Sequence, residues 1–280
     1  MTLDNASRFV FSGSGRWPLE QAIEKAIELG FSRVHFNADS PPNYPDTFTP
    51  ERIKAVRSMV ADQDIDLWIH TLSAVNLAEI TPAMAAGADE YVRQNIELAA
   101  ALGGTHLVVH GGFHFTTDQE PRFAAAVERL KLALRLAADA GVELHFENHN
   151  AEPEHAEIRY MPHTVAEYRR FWDALAPSAP LRWACNVGHA MLVPEGFAGF
   201  LAAFGADTIG HVRLHDTNGL WEDHFKPGEN GGIIDFRQVF TDLHLAGYRG
   251  PFTLDFGSPE EKGIWRERWG SLLDEIEAAH

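Results

Sequence analysis

Apolar residues recur along this chain with two alternating periods. Short runs switch every second residue, as in 66–70, where Leu67 and Ile69 oppose Asp66, Trp68 and His70. A β-strand presents its side chains in this way. Between these runs lie longer segments with apolar residues at helical spacing, opened by Pro, Ser or Thr and stopped by Gly. The pattern predicts strands at 8–11, 32–37, 66–70, 106–110, 143–148, 181–186, 209–216 and 252–256. It predicts helices at 18–29, 49–62, 81–102, 121–140, 164–175, 194–204, 236–246 and 260–278. Thr164 and Glu167 are spaced as a capping box. Eight strand–helix units in order, with no repeat, long linker or low-complexity tract, predict a parallel sheet closed into a single (β/α)8 TIM barrel spanning 1–280. An open doubly wound sheet is the alternative, but no Gly-x-Gly-x-x-Gly sequence follows the first strand.

The polar faces of these strands carry the chemistry. Active sites of such barrels lie at the C-terminal ends of the strands. Six predicted strands end in His70, His110, Glu147, Asn186, His215 and Asp255. In the seventh, His211, Arg213 and His215 share one face, opposed by Val212 and Leu214. A lone histidine at a strand end is more often an ordinary core or loop residue, but six polar ends converging on one rim point to a shared site. Imidazole, carboxylate and carboxamide together are the ligand mix of Zn²⁺, Mn²⁺ or a similar ion. The loop after the seventh strand adds Glu222 and His224.

Other residues near the rim have plainer readings beside functional ones. Trp17, Phe113, Phe115 and Trp221 lie in strand-to-helix loops, where aromatics either stack on a bound ligand or cap the barrel. The turn Ser12-Gly13-Ser14-Gly15-Arg16 is read as a plain turn in preference to an anion nest. Lys226 stands beside His224 and is a candidate substrate contact. Cys185 falls on the helix-facing side of its strand and reads as core.

Composition narrows the partners. With 23 Lys+Arg against 40 Asp+Glu, the formal net charge is −17, which repels phosphate backbones and disfavours nucleic acid and membrane surfaces. No apolar run approaches the roughly 20 residues a membrane-spanning helix needs. One cysteine excludes an intramolecular disulfide and fits a reducing, cytoplasmic setting.

Four motifs in order carry a family resemblance: FENHN around Glu147, CNVGHA around Asn186 and His189, HVRLHD around His215, and TLDFG around Asp255. Together they resemble the xylose isomerase-like TIM-barrel superfamily over nearly the whole chain. The resemblance implies sugar or sugar-phosphate isomerases and epimerases that hold one divalent ion (Mn, Zn, Mg or Co) through Glu147, Asn186, His215 and Asp255. It places Asn186 where the superfamily usually has Asp, and Asp255 where it usually has Glu. The related endonuclease IV branch holds three zinc ions, and its additional ligands correspond to His70, His110, His189, Glu222 and His224.

Three functional expectations follow. The first is a metal-dependent isomerase or epimerase of a small sugar-like substrate. In it the ion stabilises an enediolate, Glu147 and Asp255 transfer the proton, and His189 and Lys226 orient the substrate, with Trp17 and Phe113 against the sugar. The second is a multi-zinc phosphodiester hydrolase, opposed by the net charge of −17 and by loops poor in Arg and Lys. The third is a barrel whose metal site has become a binding site, suggested by Asn186. About one ion per chain, two or three, or none separates them.

Overall fold

The structure is a computed structural model that describes residues 4–13, 17–176 and 180–280. Eight parallel strands close on themselves: β1 (Phe9–Ser12), β2 (Arg33–Asn37), β3 (Asp66–His70), β4 (His106–Val109), β6 (Glu143–Glu147), β8 (Arg182–Asn186), β9 (Ile209–Leu214) and β10 (Phe252–Leu254). The order around the barrel is β1-β10-β9-β8-β6-β4-β3-β2. Helices alternate with them: α1 (Leu19–Glu28), α2 (Pro50–Asp62), α3 (Pro82–Leu102), α4 (Gln119–Asp139), α5 (Val165–Leu175), α7 (Gly196–Phe204), α8 (Phe236–Leu245) and α9 (Pro259–Ala279). The predicted (β/α)8 architecture is the observed one, and each predicted end lies within two residues of its observed position.

Local chemistry sets these boundaries. The side chains of Thr49, Thr164, Asp235 and Ser258 accept from backbone N–H groups in the first turns of α2, α5, α8 and α9. Ser258 and Glu261 form a full capping box. Gly103 ends α3 in the left-handed region at φ 77°.

The core lies between the outward strand faces and the helices. It includes Leu67, Ile69, Leu107, Phe146, Trp183 and Cys185, all fully buried. Tyr168 of α5 donates to the Phe146 carbonyl at 2.8 Å and ties that helix to β6. The inward faces are polar, as their alternation predicts. Trp68, His145 and His211 fill the lower lumen, with Trp68 and His211 ring centroids 5.1 Å apart.

Two elements were not legible in the sequence. A three-residue antiparallel pair, β5 (Phe113–Phe115) and β7 (Ile158–Tyr160), joins the loops after β4 and β6. A single helical turn, α6 (Val187–Ala190), follows β8 directly, with Asn186 as its cap. Among the described residues, no helix is long and apolar enough to cross a membrane. Residues 14–16 of the 12–16 turn lie outside the described residues.

Candidate active site and metal centre

The C-terminal ends of the strands meet in two adjoining groups. The lower one is centred on Arg213, which β9 turns inward. Its Nη1 donates to Glu147 Oε2 at 2.5 Å, and its Nη2 donates to Asp255 Oδ2. The remaining oxygen of Glu147 accepts from Asn186 Nδ2 at 2.8 Å. Nε2 of His70 and of His110 lies 3.1 and 3.4 Å from Glu147 Oε2. Burial alone would raise the pKa of Glu147 and of Asp255. Arg213 together with the neighbouring imidazoles (His110 and His70 at Glu147, His224 and His35 at Asp255) outweighs it, and both are held well below the usual carboxylate range. His70, too, has its pKa lowered, to about 4, through burial and the same guanidinium. It is a neutral imidazole.

The upper group is built from His189 on α6, His215 after β9, and Glu222 and His224 in the following loop. Each of the three imidazoles has a backbone carbonyl against Nδ1: Asn148 at 2.9 Å from His189, Asp223 at 2.7 Å from His215, and Asp255 at 2.7 Å from His224. A ring N–H donates to each carbonyl, which leaves a lone pair on each Nε2. Those three Nε2 atoms face acceptors as well. His189 and His224 point at Glu222 Oε1, at 3.2 and 3.1 Å, and His215 points at Asn186 Oδ1 at 2.9 Å. The Asn186 amide cannot be turned round to relieve this. Its Oδ1 accepts from the His189 backbone N–H at 3.1 Å while its Nδ2 serves Glu147.

Lone pairs facing lone pairs repel unless a positive charge lies among them. A proton answers for His224, whose pKa is raised to about 10 against burial by Asp255 and Glu222. For His215 burial, with His224 and His189 beside it, drives the pKa well down and keeps the ring neutral. A divalent ion answers for all three. The coordinating nitrogens lie within 4.8 Å of one another, and three imidazoles with one carboxylate suit a Zn²⁺-like or Mn²⁺-like ion. The residues of this upper group fit a metal.

Tight packing maintains the arrangement. A Cβ on Gly188 would lie 2.1 Å from His215 Cε1, so the imidazole rests directly on the α6 backbone. Asp216 is not a ligand. Its carboxylate accepts from the N–H groups of Thr217, Gly228 and Ile234, and so folds the loop that carries Glu222 and His224. Asn148 does the same for Asn186, accepting its N–H and donating to its carbonyl, both at 2.9 Å.

The ligand set expected around a single ion is thus divided. Glu147 and Asp255 meet at Arg213, His215 belongs to the upper imidazoles, and Asn186 bridges the two groups. An ion between Glu147 and Asp255 does not fit, because the guanidinium fills that position. His70, His110 and Glu147 do come together, but Arg213 Nη1 also contacts His70 Nε2 and Glu147 Oε2. Another histidine group, His106, Glu143 and His145, sits at the opposite end of the barrel, where Arg182 pairs with Glu143 at 3.2 Å.

Among the substrate candidates, Lys226 is turned to the outer rim, with Nζ 2.7 Å from both Glu229 and Glu261. Those pairings, not a substrate, account for its charge. Trp17 is half-buried and its carbonyl accepts from Asn43 Nδ2 at 2.8 Å. Phe113 packs edge-on to Tyr160 at 5.8 Å. Tyr160 in turn stacks on His149 at 4.1 Å, and His149 stands parallel to His189 at 5.7 Å. This aromatic wall leads from the β5–β7 pair to the upper imidazoles. Of its members, only Phe113 and His189 were singled out in the sequence.

Comparison with known proteins agrees with this fold. The pattern that defines the family described as "Xylose isomerase-like TIM barrel" matches residues 23–274. The chain is 27% identical to an L-ribulose 3-epimerase of Methylomonas sp. (strain DH-1) over 212 residues, 70% of this chain and 68% of that one. It is 27% identical to a probable endonuclease 4 of Pediococcus pentosaceus over 146 residues, 48% of this chain and 49% of that one. The crystal structure of a D-tagatose 3-epimerase-like protein superposes with a TM-score of 0.81 at 21% identity, covering 97% of this chain and 99% of that one. At that identity the likeness speaks for the fold.

Proposed function

Since the chain belongs to the xylose isomerase-like TIM barrel family, its chemistry is to be sought at this rim, and we propose that it is a divalent-metal-dependent isomerase or epimerase of a small sugar or sugar phosphate. The observation that carries this reading is the convergence of three backbone-anchored imidazoles and Glu222 beside Asp255. His189, His215, His224 and Glu222 would hold the ion, which as a Lewis acid polarises a carbonyl oxygen. The similarity to the L-ribulose 3-epimerase supports a sugar as the substrate.

Asp255 is the carboxylate placed to take a proton from the carbon beside that carbonyl. It is ionised, it keeps some solvent exposure, and its Oδ1 is free but for Ser12 Oγ at 3.1 Å. Glu147 is wholly buried with both oxygens engaged, so it anchors Arg213 and Asn186 in place. Negative charge developing on the substrate oxygens as the proton leaves would lie near the Arg213 guanidinium. The Phe113–Tyr160 wall offers an apolar face to a sugar ring. A cytoplasmic setting goes with this reading, with Cys185 reduced and buried.

The test is turnover. Ketoses and aldoses are screened with protein loaded with Mn²⁺, Co²⁺, Mg²⁺ or Zn²⁺, before and after chelation. Conversion that disappears with the metal and returns on reloading is expected. Absence of any conversion with fully loaded protein would refute the proposal. Phosphodiester hydrolysis is the second reading, favoured by the His70–His110–Glu147 group and by the likeness to the probable endonuclease 4. It requires two or three ions per chain and cleavage of an abasic-site duplex.

A further inference from the structure

We propose that Arg213 is the built-in cation of the Glu147–Asp255 cradle, standing where a divalent ion would otherwise bind, and that removing it opens a metal site there. The proposal does not depend on the sugar reading. It rests on what surrounds the guanidinium.

Three observations lead to it. First, Arg213 lies across the barrel between carboxylates from two other strand ends, β6 and β10, and reaches one with each terminal nitrogen. Second, a cation from the chain itself already offsets part of the carboxylate charge without a metal. Two carboxylates meet one guanidinium, and the third strand end supplies the neutral Asn186. That amide turns Nδ2 towards Glu147 at 2.8 Å and its oxygen away. A carboxylate with no metal needs a donor there, whereas an ion would need the oxygen. Third, Arg213 Nη1 contacts both Glu147 Oε2 and His70 Nε2, while Nη2 takes Asp255 Oδ2. One side chain therefore occupies an imidazole nitrogen and two carboxylate oxygens. Deleting it frees three ligand atoms around one vacated volume, with His110 Nε2 only 3.4 Å from Glu147 Oε2. This is a donor set that first-row divalent ions accept.

The experiment counts metal in the folded chain. Wild type, Arg213→Ala and Arg213→His are loaded with Co²⁺ or Zn²⁺, freed of excess ion, and measured by mass spectrometry of the metal. Thermal unfolding is followed in parallel with and without the ion. Arg213→Ala is expected to bind one ion more than wild type, and to gain more thermal stability from added Co²⁺ than wild type does. If Arg213→Ala folds only in the presence of Co²⁺ or Zn²⁺, the proposal is supported in a stronger form. Equal metal content in wild type and both variants overturns it. So does a wild-type ion that is lost in Glu147→Gln yet retained in His215→Ala, since that ion would occupy the cradle despite Arg213. Failure of both variants to fold under every metal condition also counts against it. The imidazole centre is judged separately. No ion in wild type with one in Arg213→Ala removes the upper site and keeps this inference, and one ion in each does the reverse.

Discussion

Gly188→Ala tests the upper metal centre with a single methyl group. The added Cβ would lie 2.1 Å from Cε1 of His215, 2.5 Å from Nδ1 and 2.6 Å from Nε2. Ordinary carbon contacts begin at about 3.5 Å, so the ring must retreat by roughly 1.4 Å. It cannot do so and keep its partners. His215 Nδ1 is 2.7 Å from the Asp223 carbonyl and Nε2 is 2.9 Å from Asn186. A shift of that size breaks such bonds, because hydrogen bonds fail beyond about 3.5 Å. Overpacking of this kind costs about 1–3 kcal/mol, which in a chain of this length lowers the melting temperature by roughly 2–5 °C. Loss of an oriented ligand should weaken metal binding by at least about 10–100-fold. The assay is a titration with Co²⁺ followed by its visible absorption, beside thermal unfolding. Gly87→Ala is the control, because it is helical, exposed, and has nothing within 4 Å of the added carbon. It should bind Co²⁺ as wild type does and be equal or slightly higher in stability. Unchanged Co²⁺ affinity in Gly188→Ala would refute the placing of His215 among the ligands.

Further outcomes are expected from the same structure. His215→Ala should lose the bound ion and the activity while remaining folded, as judged by metal content and circular dichroism. Asp255→Asn should lower kcat by about 10²–10⁴-fold with much less effect on KM, as removal of a proton-transfer group does; an unchanged kcat excludes Asp255 as the base. Asn186→Asp replaces the amide donor on Glu147 with a second carboxylate, and should cost about 3 kcal/mol at pH 8 and less at pH 5, measured by chemical denaturation. Asp39 offers a pH test just past the end of β2. Burial pushes its pKa up to about 6, although Tyr91 donates to it at 2.5 Å. The penalty for holding it ionised is therefore full above about pH 6 and vanishes as pH falls towards the unfolded value near 4. Asp39→Asn should accordingly stabilise the protein by about 1–2 kcal/mol at pH 8, allowing for solvent screening, and by almost nothing at pH 4.

The barrel was legible because alternation in strands such as 66–70 and 143–147 is strict, with apolar residues outward and polar residues inward. The same period put Arg213 inside with His211 and His215, but a side chain's direction does not reveal its partner. A cation on an inward barrel face must meet buried negative charge, and Glu147 and Asp255 were already assigned to a metal. His215 was read as their companion because the HVRLHD motif resembles that of the superfamily. Two residues beyond Arg213 along β9, it faces the α6 turn instead, where Gly188 gives it room. The second-tier candidates His189, Glu222 and His224 came to the fore because three carbonyls from separate segments fix the imidazoles. Such backbone contacts leave no trace in residue identity. The β5–β7 pair was missed for want of length: three residues show no measurable period.

On the proposed metal-dependent reading, the Arg213 guanidinium also bears on how the ion would be acquired. The carboxylates inside the barrel are paired with a cation of the same polypeptide, so that counter-charge arrives with translation itself. The barrel can close before it has met any ion. Uptake of the proposed ion at the imidazole rim would then be a late and reversible step, performed on a finished protein. Scarcity of the ion would silence such a molecule without destroying it, and resupply would restore it without new synthesis.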